Sequence, residues 1–100
     1  MALFNVTNIV NGNTIEVAGW KWENFEGKKV KIAGLQTKSA EYETFAINKL
    51  KILLQGKQVE LKNVINASKG NSDKDDTILC GVFLNDIDIS QYFPELKTPA

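Results

Sequence analysis

Polar and apolar residues alternate from the start of the sequence. Phe4, Val6, Asn8 and Val10 share one parity, mostly apolar, as a half-buried strand requires. Asn11-Gly12-Asn13 follows, residues that tolerate positive φ, and Thr14 to Ala18 resumes the alternation with Ile15 and Val17 together. The two runs predict a β-hairpin. Gly19 to Gly27 reads as a loop or ragged strand end carrying Trp20, Trp22 and Phe25. Lys28 to Leu35 predicts a third strand, Val30 and Ile32 inward and Lys29 and Lys31 outward.

The period then changes from 2 to 3.6. Tyr42, Phe45, Ala46, Leu50, Leu53 and Leu54 recur at spacings of three and four, one face of an amphipathic helix. Ser39 is placed to cap it, Glu41 and Glu43 suit its first turn, and Gly56 suits its end. Lys49 and Lys51 fall on the opposite, solvated side. Gln58 to Ile65 alternates again, with Val59 and Leu61 sharing a parity, and Asn66 to Asp76 reads as a polar loop. The apolar stretch Thr77 to Leu84 predicts the most buried strand. Asn85-Asp86 turns into Ile87-Asp88-Ile89, and Ser90 is placed to cap a single turn through Tyr92 and Phe93.

Three strands, a helix and two strands is the layout of a five-stranded Greek-key barrel of the OB type, mainly β within the α+β class, with the helix between strands 3 and 4 plugging one end. Another small α+β arrangement with the same element order is the alternative. The expected domain covers residues 1–93, and 94–100 form a short C-terminal tail with Pro94 and Pro99.

Composition narrows the chemistry. The protein has 100 residues, 12 acidic and 12 basic, and every basic residue is Lys. With no His there is no Ser-His or Cys-His nucleophile pair and no imidazole metal ligand. With no Arg there is no planar fork for two-point grip on phosphate. One Cys, Cys80, excludes an intrachain disulfide and a thiolate cluster, and in its apolar strand it reads as a buried hydrophobe. No basic-then-apolar leader opens the sequence, and no apolar run nears the roughly 20 residues of a membrane span. A soluble, cytoplasmic protein is therefore expected. The acceptor triplets at Asn5 and Asn66 read as chance matches in an Asn-rich sequence.

Four strings, in order from about Phe4 to Ser90, carry a resemblance. "NIVNGNTIEV" resembles a strand entering and leaving a D-G-D-T turn. "GKKVKIAGLQT" resembles V-R-L-x-G-I-D-x-P-E. "EYETFAINKLKILLQGKQVEL" resembles a helix with an L-L-x-G-K-x-V exit, the most specific string of the four. "TILCGVFLNDIDIS" is similar to R-x-L-A-Y-V-Y-x-D-G-x-D-V-N. Together they resemble staphylococcal-nuclease-like domains, OB-fold barrels whose active members cleave nucleic acid with Ca²⁺.

The resemblance implies that the site has been lost. The family's two metal-binding Asp positions fall at Asn13 and Gln36, its general-base Glu at Ser39, and its two Arg at Lys31 and at or beside Thr77. Asn and Gln offer only neutral carbonyl oxygens to a cation that wants carboxylates. Ser lacks a basic oxygen near neutral pH, and Lys lacks the two-point fit to a phosphoryl group. No catalytic residue, metal or cofactor is therefore expected. Members also continue into a further helix; without it the barrel is expected either to be marginally stable alone or to have a partner or second subunit cover the surface that helix would hide.

Two segments remain as candidates. "GWKWENFEGKK" sets Trp20 and Trp22 on one face beside Lys21, Phe25, Lys29 and Lys31. That suits a protein contact or self-association, or weak stacking of single-stranded nucleic acid. Glu16, Glu23, Glu26 and the zero net charge weigh against the nucleic acid. "NSDKDDT" alternates oxygen ligands at Asn71, Asp73 and Asp75 but fails the EF-hand spacing at Asp76 and Val82, so it reads as a solvated turn.

Overall fold

The computed structural model of the protein describes residues 3–35, 40–71 and 75–93. The elements run β1 (Phe4–Asn11), β2 (Thr14–Trp22), β3 (Phe25–Ile32), α1 (Ala40–Leu54), β4 (Gln58–Ser68), β5 (Thr77–Leu84) and β6 (Ile87–Asp88), with one 3-10 turn at Ile89–Tyr92. Strands pair in the order β3-β2-β1-β4-β5-β6, and a parallel β3–β5 pairing joins the ends. The result is the expected architecture: a closed five-stranded mixed barrel, mainly β, with one helix between the third and fourth strands. Ser39, Gln36 and the tail 94–100 lie outside the described residues.

The core follows the alternation where the strands are regular. Ile15 and Val17 of β2, Val30 and Ile32 of β3, and Ile78, Cys80 and Val82 of β5 all point inward and are buried. β5, with neighbours on both sides, is the interior strand its apolar stretch predicts.

Register shifts interrupt the pairing in β1, in β2 between Glu16 and Trp20, and in β4. In β1 the register with β2 shifts between Val6 and Asn8, so the inward pair is Val6 and Ile9, and Val10 is exposed. A single extra residue moves every later side group to the other face. In β4 the register with β5 shifts between Lys62 and Asn66, where Asn63 takes φ 57°. Beyond this bulge β4 continues to Ser68, pairing Asn66–Ser68 with Thr77–Leu79, so the start of the expected polar loop is strand.

The turns follow their own chemistry. Gly12-Asn13 closes the first hairpin without positive φ at either residue, and Asn11 Oδ1 accepts the Asn13 N–H at 3.0 Å. Asn85 and Asp86 both have positive φ, as a type I′ turn demands. Gly19 to Gly27, expected as a loop or ragged end, is instead largely hairpin: past a register shift between Glu16 and Trp20, Trp20, Lys21 and Trp22 pair with Gly27, Glu26 and Phe25. In the 3-10 turn the cap is Asp88, whose carboxylate accepts the Ser90 N–H, and Ser90 itself is buried inside the turn.

α1 packs on β1 and buries Ala46, Leu50 and Leu54 completely, with Ile47 and Leu53 at the margin. Tyr42 and Phe45, expected on that face, are exposed, because the contact stripe is rotated from the one they define. Lys49 is not on the solvated side. Its ammonium donates to the Tyr92 carbonyl and lies over the Phe45 and Phe93 rings at 5.5 and 4.8 Å. At the helix start the Glu43 carboxylate accepts the Gly12 N–H of the first hairpin at 3.1 Å. At its end Gly56, at φ 80°, redirects the backbone so that its N–H donates to Val6.

Candidate functional site

The β2–β3 hairpin holds the sequence's main candidate, and the structure divides its aromatics. Trp20 is a core residue, 3% exposed, whose indole N–H donates to the Lys29 carbonyl at 2.9 Å. Little of its ring therefore reaches solvent. A buried indole needs one acceptor, and the neighbouring strand supplies it. Trp22, two residues on, reaches the end of the same face, where the barrel opens. There it stacks on Phe25 with centroids 6.1 Å apart and planes at 22°, both rings half-buried.

A second hairpin is tied to this one. Asp76, just before β5, accepts the Glu26 N–H and the Gly70 N–H, each at 2.9 Å, and its own N–H donates to the Glu26 carbonyl. Lys69 pairs with Asp76 at 3.6 Å, donates to the Asn24 carbonyl at 3.0 Å and covers the Phe25 ring at 5.0 Å. β3 passes so near that a Cβ on Gly27 would sit 2.1 Å from the Asp76 carbonyl oxygen, which only glycine permits. The expectation of a solvated turn thus fails at Asp76, which is buried. The two backbone N–H donors, first Gly70 and then Glu26, hold its carboxyl below the ordinary 3.8, and Lys69 adds to this against the opposing effect of burial. Its two oxygens are committed to holding hairpins together, a structural use of the one motif that looked like a cation loop.

Beside the Trp22–Phe25 stack runs an apolar groove of about 220 Å³, lined by Phe4, Trp20, Trp22, Leu61, Val64 and Ile78, with Lys21 and Glu60 at its edge. Leu61 and Val64 join it from β4. The bulge at Asn63 sets these two on a common surface despite their opposite parity, so alternation alone could not have found them. Charges near the groove are largely spoken for: Glu60 pairs with Lys62 at 3.3 Å, and Lys29 reaches Asp75 at 3.8 Å. Lys21 is exposed and makes no ion pair among the described residues.

The positions implied by the nuclease resemblance lie elsewhere on the barrel. Asn13 sits in the first hairpin turn, its amide oxygen accepting the Thr14 hydroxyl and its carbonyl accepting the Ile32 N–H. Lys31 is exposed on β3, paired across the sheets with Thr14 and Leu79. Thr77 opens β5 opposite Lys29, two register positions from Lys31's partner. Gln36 and Ser39 lie outside the described residues, so three of the five can be located. Among the described residues no three of His, Cys, Asp and Glu gather where they could hold a metal ion. Among the same residues no helix is long and apolar enough to cross a membrane. Cys80 is buried, and desolvation pushes its thiol up to about 12, as its place in an apolar strand predicts.

Compared with known proteins, the sequence matches no family model and no curated protein, and the fold matches no solved structure.

Proposed function

We propose that this protein is a catalytically silent, staphylococcal-nuclease-like OB-fold domain that works as a protein-binding module, its contact surface being the barrel opening around Trp22. The observation that carries this reading is the half-exposed Trp22–Phe25 stack beside an apolar groove. Aromatic residues set in such a groove and rimmed by polar groups are the usual anchors of protein interfaces. Lys29, Lys62 and Lys69 each pair with an acidic side chain, Glu60 stands beside Lys21 in the groove lining, and the net charge is zero, so phosphate backbones find little field there. Catalytic silence rests on residue identity at the family's positions: Asn13, Lys31, Gln36, Ser39 and Thr77 supply neither carboxylate nor guanidinium.

Weak binding of single-stranded nucleic acid is the second reading, favoured by Lys21, which lines the groove beside Trp22 and makes no ion pair among the described residues. Light scattering combined with an oligo-dT titration separates the two. The protein reading expects self-association or a retained protein partner that Trp22→Ala abolishes, with Trp fluorescence unmoved by the oligonucleotide. Quenching at low salt that fades steeply as salt rises would replace it with the nucleic-acid reading. Ca²⁺-dependent cleavage of DNA by clean protein would overturn catalytic silence.

A further inference from the structure

Asn11-Gly12 is the one place in this sequence where Asn precedes Gly, although ten Asn are present. That dipeptide is the most reactive context for succinimide chemistry, because glycine puts no side group in the path of its own nitrogen. The Gly12 nitrogen attacks Cγ, the amide carbon of the Asn11 side group, and gives up its proton to solvent. The Cγ–Nδ2 bond breaks, and ammonia leaves. Water then opens the ring at either carbonyl, giving aspartate or, with the backbone rerouted through Cβ and Cγ, isoaspartate.

The fold holds both reacting groups away from this path. The Gly12 N–H donates to Glu43 Oε1 at 3.1 Å across 31 residues of sequence, and Gly12 is buried. The electrophile is tied separately, since Asn11 Oδ1 accepts the Asn13 N–H at 3.0 Å. Asn11 also sits in the sheet, opposite Thr14, which restricts the backbone rotation the ring needs. Reaction therefore requires the turn to part from the helix, a local opening rather than global unfolding.

We propose that Asn11-Gly12 is the spontaneous modification site of this protein, and that the Glu43 carboxylate is the latch that suppresses it. This inference is independent of whatever binds the Trp22 surface. The product has a defined consequence. Aspartate or isoaspartate puts a second carboxylate one residue from the group Glu43 holds, and isoaspartate adds a backbone carbon where β1 and β2 must register. Either change weakens the contact between α1 and the first hairpin, so the modified protein opens there more readily than the parent. The site acts as a chemical clock on the barrel's helix-covered end.

The test follows the Asn11 peptide by mass spectrometry, with isoaspartyl methylation as a second readout, at near-neutral pH and well below the unfolding temperature. Native protein is expected to react about tenfold or more slowly than the same protein in urea, the difference reflecting the opening equilibrium. Glu43→Ala is expected to raise the native rate several-fold, whereas Glu43→Gln, which keeps an acceptor oxygen, stays near the parent rate. Circular dichroism verifies that each variant is folded during the incubation. Should Glu43→Ala prove unfolded, Glu43→Asp, whose shorter arm withdraws the acceptor from the Gly12 N–H, takes its place and is expected to react several-fold faster than the parent; a parent-like rate there would equally overturn the latch. Equal rates in native and urea-unfolded protein, identical rates in the Ala variant and its parent, or faster reaction at any other Asn would overturn the proposal.

Discussion

Replacing Trp20 separates a core role from a binding role. It is 3% exposed, and its indole N–H holds the Lys29 carbonyl at 2.9 Å. Truncating a buried Trp to Ala costs about 3–5 kcal/mol in lost burial and residual cavity. A domain of this size has only about 5–15 kcal/mol of stability in total. At about 4–8 °C per kcal/mol, the Trp20→Ala midpoint falls by roughly 12–40 °C. Trp20→Phe keeps most of the apolar volume and isolates the polar part: the Lys29 carbonyl loses its donor, at about 1–3 kcal/mol. Trp22→Ala gives up a half-exposed ring and its stack on Phe25, worth about 0.5–1.5 kcal/mol beyond the buried area. The expected order of stability is therefore parent, then Trp22→Ala, then Trp20→Ala, with Trp20→Phe well above Trp20→Ala. Urea unfolding followed by far-ultraviolet circular dichroism measures all four. The reasoning is refuted if Trp20→Ala loses less than about 1 kcal/mol, since no buried Trp with a satisfied N–H should be so dispensable.

Two further outcomes follow from the charged and sulfur groups. Asp76 has a native pKa below 3.8, so above that value its ionised form stabilises the fold. As pH drops through 3.8 the unfolded protein takes up the proton first, and the contribution drains away toward the lower native pKa. Asp76→Asn should flatten the acid limb of a stability-versus-pH curve, and an unchanged limb would remove Asp76 from that role. Cys80, with its thiol pushed up to about 12 inside β5, should resist a thiol-specific disulfide reagent at pH values near 8 until urea opens the barrel. Prompt stoichiometric labelling of the native protein would contradict its burial.

Much of the barrel is legible in the sequence because alternation reports burial directly on a regular strand. Ile15, Val17, Val30 and Ile32 face inward as their parity dictates, and the helix occupies the period change before Gly56. Val10 and the strand end at Asn66–Ser68 escape such a reading because a bulge leaves no mark in composition; Asn63 at φ 57° looks like any other Asn. Tyr42 and Phe45 escape it for a different reason. Helical spacing defines a stripe of apolar residues, but the packing of α1 on the barrel decides how that stripe is rotated, and Ala46, Leu50 and Leu54 rather than Tyr42 and Phe45 are covered.

The candidate site shows the same division. Local residue types alone place two Trp on one face of one hairpin, because residues i and i+2 of a strand must share a face. They also determine what chemistry is absent, since no fold can supply a guanidinium or imidazole that the sequence lacks. Only the tertiary structure could decide which Trp is core and which is surface. That depends on how far the barrel extends beneath the sheet, and it ends between Trp20 and Trp22. Only tertiary structure, too, could turn Asp76 from a loop carboxylate into the tie between two hairpins, or bring Glu43 onto the Gly12 N–H. The Asp76–Glu26 and Glu43–Gly12 partners are 50 and 31 residues apart, and the packing of distant elements, rather than any local preference, makes them neighbours.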